Sequence, residues 1–196
     1  MILVVDLNSE ENSLSSLEFI LPILRILDIC GLDHCVVHYR KLTPGILNTS
    51  NGVILSGTPL MDNGYYDNLD QFEWLKSVTI PILGICAGMQ FIALLHGSKI
   101  TPCLEIGMTS IRSIQSSIAP PDVSFPSISP HGAYEAYSLH RNAIIPSTEL
   151  EVLAESEHAV QAFRVHGKHM FGVLFHPEVR NPEIIEKFVS EYCMMK

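Results

Sequence analysis

Positive charge is scarce in this chain. Twelve Lys and Arg stand against twenty-one Asp and Glu, a formal net charge of -9. A nucleic-acid surface needs clustered Lys and Arg, so the balance argues against nucleic acid as a partner. Long apolar runs are missing as well. No stretch reaches the ~18 uncharged residues of a membrane helix, so no membrane association is expected. The opening MILVVDLN carries an acid at Asp6 and no basic residue, and it reads as a first strand rather than a signal peptide. The five cysteines are an odd, scattered set, and Cys30 and Cys35 lack the two-residue spacing of zinc knuckles. Reduced thiols in a cytoplasmic protein, with no metal site, are the expectation.

What is present is hydrophobicity, at 47% of residues with a mean hydropathy of +0.25. Fully buried parallel strands read as unbroken apolar runs of this kind. Strands are expected at ILVVD (2–6), HCVVHY (34–39), GVILSG (52–57) and PILGI (81–85). Helices are expected between them. One covers LSSLEFILPILRILDICG, kinked by Pro22 or starting near it and stopped at Gly31; another covers DNLDQFEWLKSV (67–78), and a third AGMQFIALLHG (87–97). Such alternation implies βαβ units and a mostly parallel central sheet flanked by helices, an α/β fold. Beyond residue 98 the runs IGMTSIRSI, AYEAYSL, EVLAES, AVQAFRV and HMFGVLFH are short and alternating, which suggests an antiparallel extension. NPEIIEKFVSEYC (181–193) reads as a final helix, and the Ser- and Pro-rich residues 116–130 as a loop. The length of 196 residues suggests a single domain over 1–196.

The stretch PILGICAGMQ (81–90) carries the chemistry. G-I-C-A-G has the spacing of a nucleophile elbow with sulfur in place of oxygen. Glycines on either side let strand and helix approach. The helix starting at Ala87 would lower the thiol pKa of Cys86 and offer the Ala87 N–H to an oxyanion. A buried structural cysteine in a Gly-rich strand end is the alternative. A cysteine nucleophile needs a base, and the base an orienter. FHPE (175–178) supplies both at a strand end: His176, then Glu178 beyond the turn at Pro177.

G-x-C-x-G-x-Q followed ~90 residues later by H-x-E resembles the class I, or triad, glutamine amidotransferase family over nearly the whole chain. The resemblance implies a flavodoxin-like fold and a glutaminase. Cys86 would attack the glutamine side-chain amide, His176 would move the protons and Glu178 would hold His176. Gln90 matches the family residue that contacts substrate. SGTP (56–59) stands where the family often has S-G-G-P, so Gly57, Thr58 and Ala87 would form the oxyanion hole, with Thr58 strained only if it needs a positive φ. Ser138, Leu139 and His140 match the segment that holds the α-amino and α-carboxyl groups.

Among free-standing members, the EIGMTSI segment (105–111) and the closing VLFHPEVRN are most similar to glutaminase subunits of two-subunit GMP synthases. That likeness implies ammonia delivery to a separate ATP-pyrophosphatase synthase subunit that activates xanthosine monophosphate. ATP and magnesium would belong to that partner, and this chain would carry no cofactor. A γ-glutamyl-peptide hydrolase or peptidase on the same fold, or a non-catalytic regulatory module, are the other readings.

Overall fold

A computed structural model describes residues 1–67, 69–114 and 133–194. The expected loop at 116–130 lies outside the described residues. Among the described residues, nine strands form one sheet in the order β2-β1-β3-β4-β9-β8-β7-β5-β6. Five of them run parallel: β2 (His34–His38), β1 (Ile2–Asp6), β3 (Gly52–Leu55), β4 (Ile82–Ile85) and β9 (Met170–Val173). The other four continue antiparallel: β8 (Val160–Val165), β7 (Leu150–Glu155), β5 (Lys99–Ser113) and β6 (Ala133–Ile145).

β9 is the seam. Its sequence groups it with the antiparallel runs, yet it pairs antiparallel only with β8 and parallel with β4. Its four residues are all buried, as in the other parallel strands, because both faces are covered. β1 shows the same two-sided burial. Leu3 and Val5 join a cluster with Leu55, Met89 and Phe91, whereas Ile2 and Val4 join one with Ile23, Leu27, Ile185 and Phe188.

The helices depart from expectation in two places. The first helical run is two helices, α1 (Ser15–Phe19) and α2 (Leu21–Ile29), with Pro22 in the first turn of α2, where its missing N–H costs nothing. Gly31 ends this run at φ 67°. The segment expected to be a helix over 67–78 is a 3₁₀ helix, Leu69–Ser77. Leu69, Phe72 and Leu75 recur every third residue, the repeat of 3₁₀ geometry rather than of an α-helix. A short helix α3 (Pro44–Leu47) leads into β3, and α5 (Glu183–Phe188) passes into one π-type turn at Val189–Cys193.

Helix α4 (Ala87–Leu95) crosses the sheet closely enough to exclude side chains at two positions. A Cβ at Gly84 would lie 2.4 Å from the Gly88 carbonyl group, and one at Gly88 would lie 2.5 Å from the Leu55 oxygen. Both obstacles are backbone, which cannot rotate away. Gly88→Ala is therefore expected to push α4 off β3 and to cost about 1–3 kcal/mol or more in urea unfolding. Unchanged stability would show that the crossing has slack.

Candidate active site

Cys86 occupies the turn between β4 and α4 with φ 48° and ψ -100°. A non-glycine residue there is strained by ~1–3 kcal/mol and persists only where its surroundings hold it. They do so from both sides. The Cys86 N–H donates to the Val173 oxygen at 2.8 Å, and its carbonyl accepts from the Gln90 N–H at 3.0 Å. The side chain stands at the N-terminus of α4, where free N–H groups and the helix dipole attract negative charge on a bound group. Sγ donates to the Leu139 oxygen at 3.6 Å.

His176 follows β9, and its N–H is tied to the Tyr137 oxygen at 2.8 Å. Its Nδ1 lies 2.7 Å from Glu178 Oε1, both side chains being almost wholly buried. Nε2 has no hydrogen-bond partner among the described residues, since the neighbouring thiol is turned toward Leu139. Such bonds are often slack until substrate arrives. Burial works against a charged His176. The Glu178 carboxylate, with the negative charge Cys86 would carry as a thiolate, outweighs it and raises the imidazole well above its ordinary value. The pair geometry supports that direction, because a buried carboxylate at 2.7 Å stabilises the imidazolium directly. The arrangement can therefore hold an imidazolium beside a cysteine and return its proton.

The loop after β3 closes the site. A Cβ at Gly57 would lie 2.7 Å from His176 Cε1, so this glycine lets the loop lie against the imidazole. Ser56 anchors the loop: its carbonyl accepts from Gly88 N–H at 3.1 Å and its Oγ from Leu7 N–H at 3.2 Å. Thr58 is buried and is not among the residues of positive φ, so its branched side chain causes no backbone strain. Its hydroxyl donates to the Asp62 oxygen at 2.9 Å. Thr58, Cys86, Ala87, Gln90, Leu139 and Asn142 border one narrow cleft, with room for about one water.

The family model of class I glutamine amidotransferases matches residues 18–191. The chain belongs to the class I glutamine amidotransferases. It is 32% identical over 170 residues to a glutamine-hydrolysing GMP synthase of Cytophaga hutchinsonii, covering 82% of this chain and 32% of that one. It thus spans about a third of the length of that relative. It is 30% identical to one subunit of the glutamine-hydrolysing GMP synthase of Picrophilus torridus, covering 82% of this chain and 86% of the relative. Among solved structures, a Thermoplasma acidophilum protein described as a GMP synthase subunit superposes with a TM-score of 0.79 at 23% identity, covering 98% and 94% of the two chains. A glutamine amidotransferase of Thermotoga maritima does so with 0.67 at 18%, covering 98% and 82%. Both likenesses concern the fold.

The remaining residues expected in an amidotransferase site fall into place unevenly. Gln90 borders the cleft, but its amide is already occupied. Oε1 accepts from the Tyr65 and Tyr66 hydroxyls at 2.8 and 2.6 Å, and Nε2 donates to the Asn142 oxygen at 3.0 Å. Leu139 presents its carbonyl to Cys86. The Ser138 hydroxyl is buried with no partner among the described residues. His140 is turned into the protein: Nδ1 lies 3.1 Å from the Cys103 oxygen and Nε2 3.0 Å from Glu105 Oε2. Burial lowers its pKa, against the pull of Glu105. Tyr65, Tyr66 and Asn142 are not singled out by any sequence motif, and Glu105 opens the EIGMTSI segment without a role being read from it. The adjacent tyrosines are the one visible signal, and nothing in the primary order links them to a glutamine twenty-five and twenty-four residues away.

In the folded chain, protonation of His176 stabilises the native state fully below 6.5, and that contribution is lost as pH rises through the raised folded value. Glu178→Gln should move the His176 titration to lower pH by NMR. It should also make the stability gap between the two proteins widest in mild acid and narrow in alkali. A His176 titration at the same pH in both proteins would contradict the pairing.

Proposed function

We propose that the chain is a glutaminase, with Cys86 as nucleophile, His176 as general acid and base, and Glu178 as its orienter. The observation that carries this reading is a cysteine held at positive φ on a helix N-terminus beside a buried His176–Glu178 pair. A structural cysteine has no use for that strain.

In the proposed reaction the Cys86 thiolate adds to the side-chain amide carbon of glutamine. The N–H groups of Gly57 or Thr58 and of Ala87 hold the developing oxyanion. His176 passes a proton from Nε2 to the departing nitrogen, ammonia leaves, and a γ-glutamyl thioester remains. Water then attacks the thioester, His176 takes its proton, and glutamate departs as the thiolate is restored. Glu178 keeps the imidazole oriented through both steps. The backbone of Ser138–His140 would receive the α-amino and α-carboxyl groups, and Gln90 would border them.

Ammonia is proposed to pass to a separate synthase subunit. The similarity to the Picrophilus GMP synthase subunit, over 86% of its length, supports this. That partner would be an ATP-pyrophosphatase carrying ATP and magnesium. The narrow cleft fits an enzyme that opens fully only when its partner docks.

Cys86→Ala should lower glutamate release from glutamine by at least about 10³-fold with an unchanged circular dichroism spectrum. Retained turnover would remove Cys86 from the mechanism. Turnover of γ-glutamyl peptides faster than of glutamine would instead favour a peptidase.

A further inference from the structure

A second cluster of chemically capable side chains lies on the β5–β6 hairpin, outside the proposed triad. The ligating atoms of Cys103, Glu105 and His140 all fall within 4.8 Å of one another. They gather where the β5–β6 register slips between Pro102 and Glu105, and Cys103 and Glu105, two positions apart, share one face of β5.

The hydrogen bonding there sets one imidazole nitrogen against one carboxylate oxygen. His140 Nδ1 faces the Cys103 carbonyl oxygen, which can only accept, so Nδ1 carries a proton. Nε2 lies 3.0 Å from Glu105 Oε2, offering a lone pair in the neutral ring and donating in the imidazolium. Glu105 is itself held as an acceptor. Gln161 Nε2 donates to Oε2 at 2.8 Å and the Ser156 hydroxyl to Oε1 at 3.2 Å. Positive charge is needed at this contact, and either a proton on Nε2 or a metal ion bound by both atoms supplies it. His140 and Glu105 are both well buried, so bulk water does not screen them. The Cys103 sulfur completes the group, and its 3.9 Å approach to the His158 oxygen is easily given up.

We propose that Cys103 Sγ, Glu105 Oε2 and His140 Nε2 bind a divalent transition-metal ion of the zinc class. One thiolate, one imidazole and one carboxylate form a borderline-soft donor set, which suits zinc and disfavours magnesium and calcium. The surroundings are those of a metal ligand shell. A backbone carbonyl fixes the histidine tautomer, and Gln161 and Ser156 orient the carboxylate. Closing to zinc bond lengths of about 2.0–2.3 Å requires mainly rotation of Cys103, which is half-exposed. Binding releases the thiol proton to solvent and changes no oxidation state. The ion would pin β5 to the stretch of β6 that carries Leu139 and Asn142 along the cleft. The inference is independent of the proposed glutaminase chemistry.

Cobalt(II), added alone to the chelator-treated full chain in a Cys86→Ala background, tests it without interference from the triad thiol. One equivalent should give a thiolate-to-cobalt charge-transfer band in the near ultraviolet, displaced by zinc(II). Adding Cys103→Ser should abolish the band, and Glu105→Gln should weaken binding at least tenfold, with circular dichroism confirming the fold of each. Absence of the band in Cys86→Ala overturns the site, as does its survival in the double variant, which would move the ligand to another cysteine.

Discussion

The close crossing of α4 over β3 and β4 is the constraint on which the site depends. Two glycines allow it, and backbone atoms within 2.4–2.5 Å of where their side chains would be forbid anything larger. Because α4 sits that low, its first residues can follow β4 only through a sharp reversal, and Cys86 is that reversal. The Val173 and Gln90 hydrogen bonds then hold it there. His176 reaches the same point because β9 is β4's parallel neighbour, so both strands end at one edge of the sheet.

Position along the chain and position in space diverge most on β6. This strand lies at the far edge of the sheet, four places from β9. Its partner β5 is long enough for the pair to reach back over the cleft, so that Leu139 meets Cys86 and Tyr137 meets His176. A proposed substrate-binding segment and the proposed nucleophile thus come from halves of the sheet with opposite strand logic, and the seam at β9 is what joins them.

The parts of the molecule legible in the sequence are those governed by local spacing. Buried strands show as apolar runs, the elbow as G-x-C-x-G, and the imidazole with its carboxylate as a tripeptide turn. The parts that are not legible depend on pairing across distance. β9 resembles its antiparallel neighbours in composition, and only its partner β4 makes it parallel. The 3₁₀ segment has its three-residue repeat in plain view, but that repeat also fits one stripe of an α-helix over so short a span. His140 sits in a segment matched to substrate binding, yet Glu105, which lies on another strand, turns its ring inward. Thr58, the departure from the family pattern, keeps an ordinary backbone conformation.

The backbone angles at position 86 also restrict which chemistries evolution could have tried there. A φ of 48° admits an unbranched side chain at moderate strain but sets a second γ-substituent against the neighbouring peptide. Threonine is thereby closed off as an alternative attacking group. Serine and cysteine remain among the small hydroxyl and thiol residues, and of the two cysteine is intrinsically the stronger nucleophile.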